Sequence, residues 1–126
     1  MATWPEIQTF IRRNYACREL DNGAIALTFT DGDAGRSQQV FVEPNNDEAT
    51  WVTVKGFVAE WSPENAVKAI EENNQIFGID RFLDWVVVTH AQLTATADEE
   101  EIRRALSGVA LAADALELAV TGKDEF

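Results

Sequence analysis

Few residues in this chain have the chemistry to act on a substrate, so they come first. His90 is the only histidine. Set beside Val88 on a β-prone run, it could serve as a base or a metal ligand. A zinc site needs three or four converging ligands, and one His with one Cys falls short, so His90 reads as a partly buried strand imidazole. Cys17 is the only cysteine, and Arg18 beside it could lower its pKa. A nucleophilic thiol also needs a positioned base, and only His90 is available, so Cys17 reads as a buried or incidental thiol.

Two acidic runs look like cation sites and read otherwise. Asp98, Glu99, Glu100 and Glu101 are consecutive on a helical pattern, so their side chains point in different directions. They suit a solvated first turn whose dipole favours negative charge. Asp31-Gly32-Asp33-Ala34-Gly35 opens like a calcium loop, but Val42 stands where the twelfth-position Glu belongs. It reads as a hairpin turn. There is no Gly-rich phosphate loop, no Gly-x-Ser-x-Gly elbow and no Cys-x-x-Cys. The chain therefore reads as non-enzymatic, with no catalytic residue, no metal site and no cofactor assigned.

The elements that position these residues follow from periodicity and caps. Thr3 with Glu6 makes a capping box, Pro5 falls in the first turn, and Trp4, Ile7, Phe10, Ile11 and Tyr15 form one apolar stripe. Asp21-Asn22-Gly23 is a turn. In 24–30, Ile25, Leu27 and Phe29 alternate with Ala24, Ala26, Thr28 and Thr30, which predicts a strand. Strands are expected again over 37–43 and 51–59, the latter with Val52, Val54 and Val58 on one face and Gly56 marking a bulge or bend. Ser62-Pro63-Glu64 starts a helix with Ala66, Val67, Ala69, Ile70 and Phe77 on its apolar side, ending near Gly78. Two short strands follow over 79–83 and 84–91. Thr96 with Glu99 is expected to cap a last helix, with Ile102, Leu106, Val109, Ala110, Ala113, Leu116 and Val120 at helical spacing and Gly122 as the stop. The reading is an α+β domain in the order helix, three strands, helix, two strands, helix, with an antiparallel five-stranded sheet. No boundary divides residues 1–126.

The informative feature is a surplus of apolar surface. An antiparallel sheet usually turns one face to the core and a polar face to water. Here the alternate strand positions hold Phe41, Trp51, Phe57, Trp85 and Val87, with Trp61 just beyond, interrupted by Thr53, Lys55 and Thr89. Either a helix covers this second face, or it is a contact surface for a partner. Phe41, Trp51, Phe57, Trp61, Trp85 and Val87 are therefore the candidate partner-binding or dimer surface.

Charge narrows the partner. With 10 Lys+Arg against 22 Asp+Glu, the 126 residues carry a formal charge of −12. Phosphate backbones and anionic membrane surfaces are poor matches for that sign. No apolar run reaches a membrane span of roughly 18 to 20 residues, and residues 1–9 do not resemble a signal peptide. One cysteine suits a reducing cytoplasm. The acidity reads as a solubility device around excess apolar surface, steering basic or amphipathic partners.

Three segments carry a family resemblance: Trp4-Pro5-Glu6-Ile7 with Phe10; Ala66-Val67-Lys68-Ala69-Ile70-Glu71-Glu72-Asn73-Asn74; and Val109-Ala110-Leu111-Ala112-Ala113-Asp114-Ala115-Leu116-Glu117, followed by Gly122-Lys123-Asp124. In these and in the order of its elements the chain resembles the bacterial YbjN-like proteins, which belong with the class I type III secretion chaperones (the Tir-chaperone-like fold). The resemblance spans nearly the whole chain. It implies a non-enzymatic, acidic, dimeric, cytoplasmic protein that holds an unfolded protein or peptide segment against apolar patches, in a housekeeping or stress-related setting. The expectation is a chaperone-like homodimer binding a peptide client. The alternatives are a small-ligand-binding protein or enzyme with a pocket between sheet and helices, and a structural subunit held in one stable complex.

Overall fold

The computed structural model describes residues 3–31 and 36–122. The first helix, α1 (Trp4–Asn14), opens as its sequence predicts: Thr3 Oγ1 accepts from the Glu6 N–H at 3.3 Å and donates to the Glu6 carboxylate at 2.9 Å. Six strands follow in chain order with two more helices between and after them: β1 (Cys17–Glu19), β2 (Ile25–Asp31), β3 (Arg36–Pro44), β4 (Trp51–Glu60), α2 (Pro63–Glu72), β5 (Gly78–Phe82), β6 (Trp85–Leu93) and α3 (Glu99–Thr121). The strands form one antiparallel sheet in the order β1-β2-β3-β4-β6-β5. The architecture is α+β, with six strands where five are expected. The extra strand is β1, a three-residue piece, Cys-Arg-Glu, too short and too polar to show a period of two. The hairpin expected at 31–35 lies outside the described residues beyond Asp31.

One face of the sheet carries the core. Ile25, Leu27, Val40, Val42, Val52, Val54, Val86 and Val88 are all buried there, alternating along four strands as period two requires. Ile7, Phe10 and Ile11 of α1, Ala69 of α2 and the apolar side of α3 join the same cluster. All three helices therefore serve one face of the sheet. α3 lies along β4, where a β-carbon on Gly56 would sit 2.6 Å from Ala113 Cβ and 3.1 Å from Val109 Cγ1. Gly56 is thus a packing glycine. The bulge comes just after it, where the β4–β6 register shifts between Phe57 and Ala59.

Three local expectations change. α2 ends at Glu72, ahead of Gly78, which instead opens β5. Of its expected apolar side only Ala69 is fully buried, Ala66 and Phe77 are half-buried, and Val67 and Ile70 face solvent. α3 is capped by Asp98, whose Oδ1 accepts the Glu101 N–H at 2.8 Å. Thr96 lies instead in a 3-10 turn, Thr94–Thr96. Gly122 ends α3 in the left-handed region at φ 72°, as expected of a C-terminal glycine. At the outer margin of β5, the Arg81 N–H is held by the Asp80 side chain at 2.8 Å, and Arg81 Nε donates to the Leu83 carbonyl at 2.9 Å.

Candidate functional site

The two nucleophile-type residues are far apart. Cys17 lies on β1 and His90 on β6, four strands away in the sheet, which is roughly 19 Å. His90 is half-buried with its ring edge-on to Phe77, centroids 5.4 Å apart. Cys17 is half-buried and free. Asp98 and Glu100 are engaged locally, the former as a cap and the latter with Arg103 and Arg104. Among the described residues no three His, Cys, Asp or Glu side chains gather where they could hold a metal ion.

The aromatic surplus is organised on the other face of the sheet. Register fixes which residues share it: Phe57 pairs with Val87, Glu60 with Trp85, Lys55 with Thr89 and Trp51 with Leu93. Phe41 reaches the group from β3 and Phe82 from β5. Phe57 lies 5.1 Å from Phe41 and 5.9 Å from Trp85, both nearly edge to face, and 6.4 Å from Phe82. Edge-to-face packing at these separations is the favoured aromatic geometry. Four neighbouring strands thus deliver one ring each to a single cluster.

A bulge lies beside this cluster on β4. An extra residue bends a strand and raises its local twist, and here it falls between Phe57 and Ala59. Next to it, where the β3–β4 pairing ends at Val40 and Gly56, Gln38 Nε2 donates to the Phe57 carbonyl at 2.8 Å from the core side. Phe57, with the rings of Phe41, Phe82 and Trp85 around it, and Val87 are buried, while Phe41, Phe82 and Trp85 stay half-open. The six expected surface residues therefore divide. Phe57 and Val87 are the floor, and Phe41 and Trp85 are the accessible rings.

Trp51 and Trp61 stand apart from the cluster. Trp51 is six residues along β4 from Phe57, about 20 Å, and pairs with Leu93 at the far end; both are exposed. Trp61 lies just past β4, its N–H bonded to the Asp84 carbonyl at 2.7 Å and its ring under the Arg81 guanidinium at 4.4 Å.

Sequence reasoning omits two members. Phe82 belongs to the cluster, and its one signal is a ring at the end of a five-residue strand. Lys55, read as an interruption, is part of the construction: its ammonium sits 4.5 Å from the Phe82 ring centre and pairs with Glu43. The stem of such a lysine covers apolar surface while its head stays polar.

Compared with known protein families and with curated proteins, the chain matches no family model and no curated sequence. Among the described residues no helix is long and apolar enough to cross a membrane.

Proposed function

We propose that this protein is a non-enzymatic, chaperone-like module that holds an extended protein or peptide segment against the outer sheet face and works as a homodimer in the cytoplasm. One observation carries the reading. The rings of Phe41, Phe82 and Trp85 lie half-open on a face that all three helices leave uncovered. Aromatic anchors set over a packed floor are what protein-binding surfaces use. Among the described residues, the carboxylates on this face are Glu43, Glu60 and Asp80; its bases are Lys55, engaged with Glu43, and Arg18, away from the ring cluster on the edge strand β1. That balance favours segments that interleave apolar and basic residues. The resemblance to YbjN-like proteins and secretion chaperones points the same way.

The test is titration of the full chain with a reduced, carboxymethylated and therefore permanently unfolded model protein, followed by tryptophan fluorescence. Saturable binding is expected. Phe41→Ala and Trp85→Ala should each weaken it about tenfold, the ordinary effect of losing an anchor. Absence of binding by the wild-type chain would overturn the reading.

A further inference from the structure

Gln38 is 2% exposed on the core face of β3, two residues before Val40. Its Nε2 donates to the main-chain oxygens of Phe57 at 2.8 Å and Gln39 at 3.2 Å. Two carbonyl partners fix which end of the amide is nitrogen. The other end, Oε1, is buried and accepts no hydrogen bond among the described residues. An unpaired buried acceptor is costly, and folded proteins usually give such an atom a water, an ion or a ligand.

Gln38 lines a cavity of about 290 Å³ between the β2–β3 end of the sheet and α3. Phe29, its partner across β2 and β3, and Ala110 and Leu111 of α3 make the walls apolar. Asp114, one helical turn beyond Ala110, brings a half-buried carboxylate to the same lining. It is the sole charged side chain in 105–116, an otherwise uncharged stretch of helix. Ser107, also in the wall, donates its hydroxyl hydrogen to the Arg103 carbonyl at 2.8 Å and so turns lone pairs outward. Among the described residues no lysine, arginine or histidine lines the cavity.

We propose that this cavity binds a small organic ammonium ion, a protonated amine with a short apolar body. The amine N–H donates to Gln38 Oε1, the Asp114 carboxylate balances the charge, and the apolar body lies against Phe29 and Leu111. Each part of the lining selects one property of the ligand. A wholly apolar occupant leaves Oε1 unpaired. An anion meets Asp114 and the field of a chain at −12. A cation taken from water needs both a hydrogen bond and an opposite charge, and the lining offers both. The volume lies just below the roughly 300–1,000 Å³ of drug-sized sites, so the body is short. The site is on the core side of the sheet, behind the aromatic face, and is independent of client binding.

The experiment titrates the isotope-labelled full chain with phenethylamine and, separately, with hydrocinnamate, which pairs a similar aromatic body with a carboxylate. Amide NMR is the readout. With the amine, saturable shifts are expected at Phe29, Ala110 and Leu111, at a Kd on the order of 0.1–1 mM for so small a ligand. The side-chain NH2 pair of Gln38 should move with them, because a bond to Oε1 polarises the amide. Hydrocinnamate should leave these signals in place. Asp114→Asn should weaken amine binding about tenfold with an unchanged circular dichroism spectrum. Amine titration without cavity shifts would overturn the site and leave Oε1 to a water. Shifts confined to Phe41, Phe57 and Trp85 would overturn it equally, by moving the amine to the client face. Equal binding of hydrocinnamate, or full amine affinity in Asp114→Asn, would overturn the ammonium assignment.

Discussion

The side-chain amide of Gln38 donates to the main-chain oxygen of Phe57 at 2.8 Å, from one strand to the bulge of the next. Gln38 is buried, and this bond gives a partner to a carbonyl that lies past the end of the β3–β4 pairing. Gln38→Leu keeps the volume but removes the donor. The expected cost is about 1–3 kcal/mol, the penalty for a buried unpaired carbonyl, read as a lower urea midpoint at unchanged m-value. The aromatic cluster should loosen with it, seen as a red-shifted and more quenchable Trp85 emission.

Gly56→Ala places a methyl 2.6 Å from the Ala113 Cβ, at the closest approach of α3 to the sheet. Forcing a methyl into a packed core costs about 1–3 kcal/mol. A paired Ala113→Gly change should recover part of that loss, measured in a double-mutant cycle of denaturation midpoints.

Asp98→Ala should cost about 1 kcal/mol, because it removes the cap from the Glu101 N–H. Thr96→Ala should cost clearly less. Equal effects would mean that α3 begins elsewhere. Thermal denaturation of the two variants decides it.

Leu83 sits at the tip of the β5–β6 hairpin with φ 54° and 73% of its surface exposed. A leucine in the left-handed region is strained, while asparagine tolerates it. Leu83→Asn should raise stability by about 0.5–1 kcal/mol, visible as a higher melting temperature. The Arg81 Nε bond to the residue-83 carbonyl involves only main chain at that position and should persist.

The core face was legible because it follows simple periods. Ile25 and Leu27, Val40 and Val42, Val52 and Val54, Val86 and Val88 alternate, and Ile102 to Val120 keeps helical spacing. The caps at Thr3 and Ser62 were legible because Pro follows each within two residues. The last cap was ambiguous: Thr96 and Asp98 both precede acidic residues at the right offset, and only the 3-10 turn at Thr94–Thr96 separates them. Val67 and Ile70 misled because a short helix beside Ala66 and Ala69 shows several apolar faces, and packing against α3 selects one. Of the candidate surface, register alone places Phe41, Phe57, Trp85 and Val87 on one face. Which of them become floor and which stay open depends on how the rings pack on one another, which alternation does not encode, while Gly56 does mark the neighbourhood of the bulge. Phe82 carries no legible signal of its face, because a five-residue strand gives too few alternations to assign one.

The two borders of the sheet are poor templates for further strands. β1 is three residues long, and on β5 the Arg81 N–H is already taken by Asp80. A strand arriving from another chain would find a short ladder on one side and an occupied donor on the other, two common defences against edge-to-edge polymerisation. Apolar contact through the broad surfaces is therefore open to this chain, while extension of the sheet at β1 and β5 is blunted.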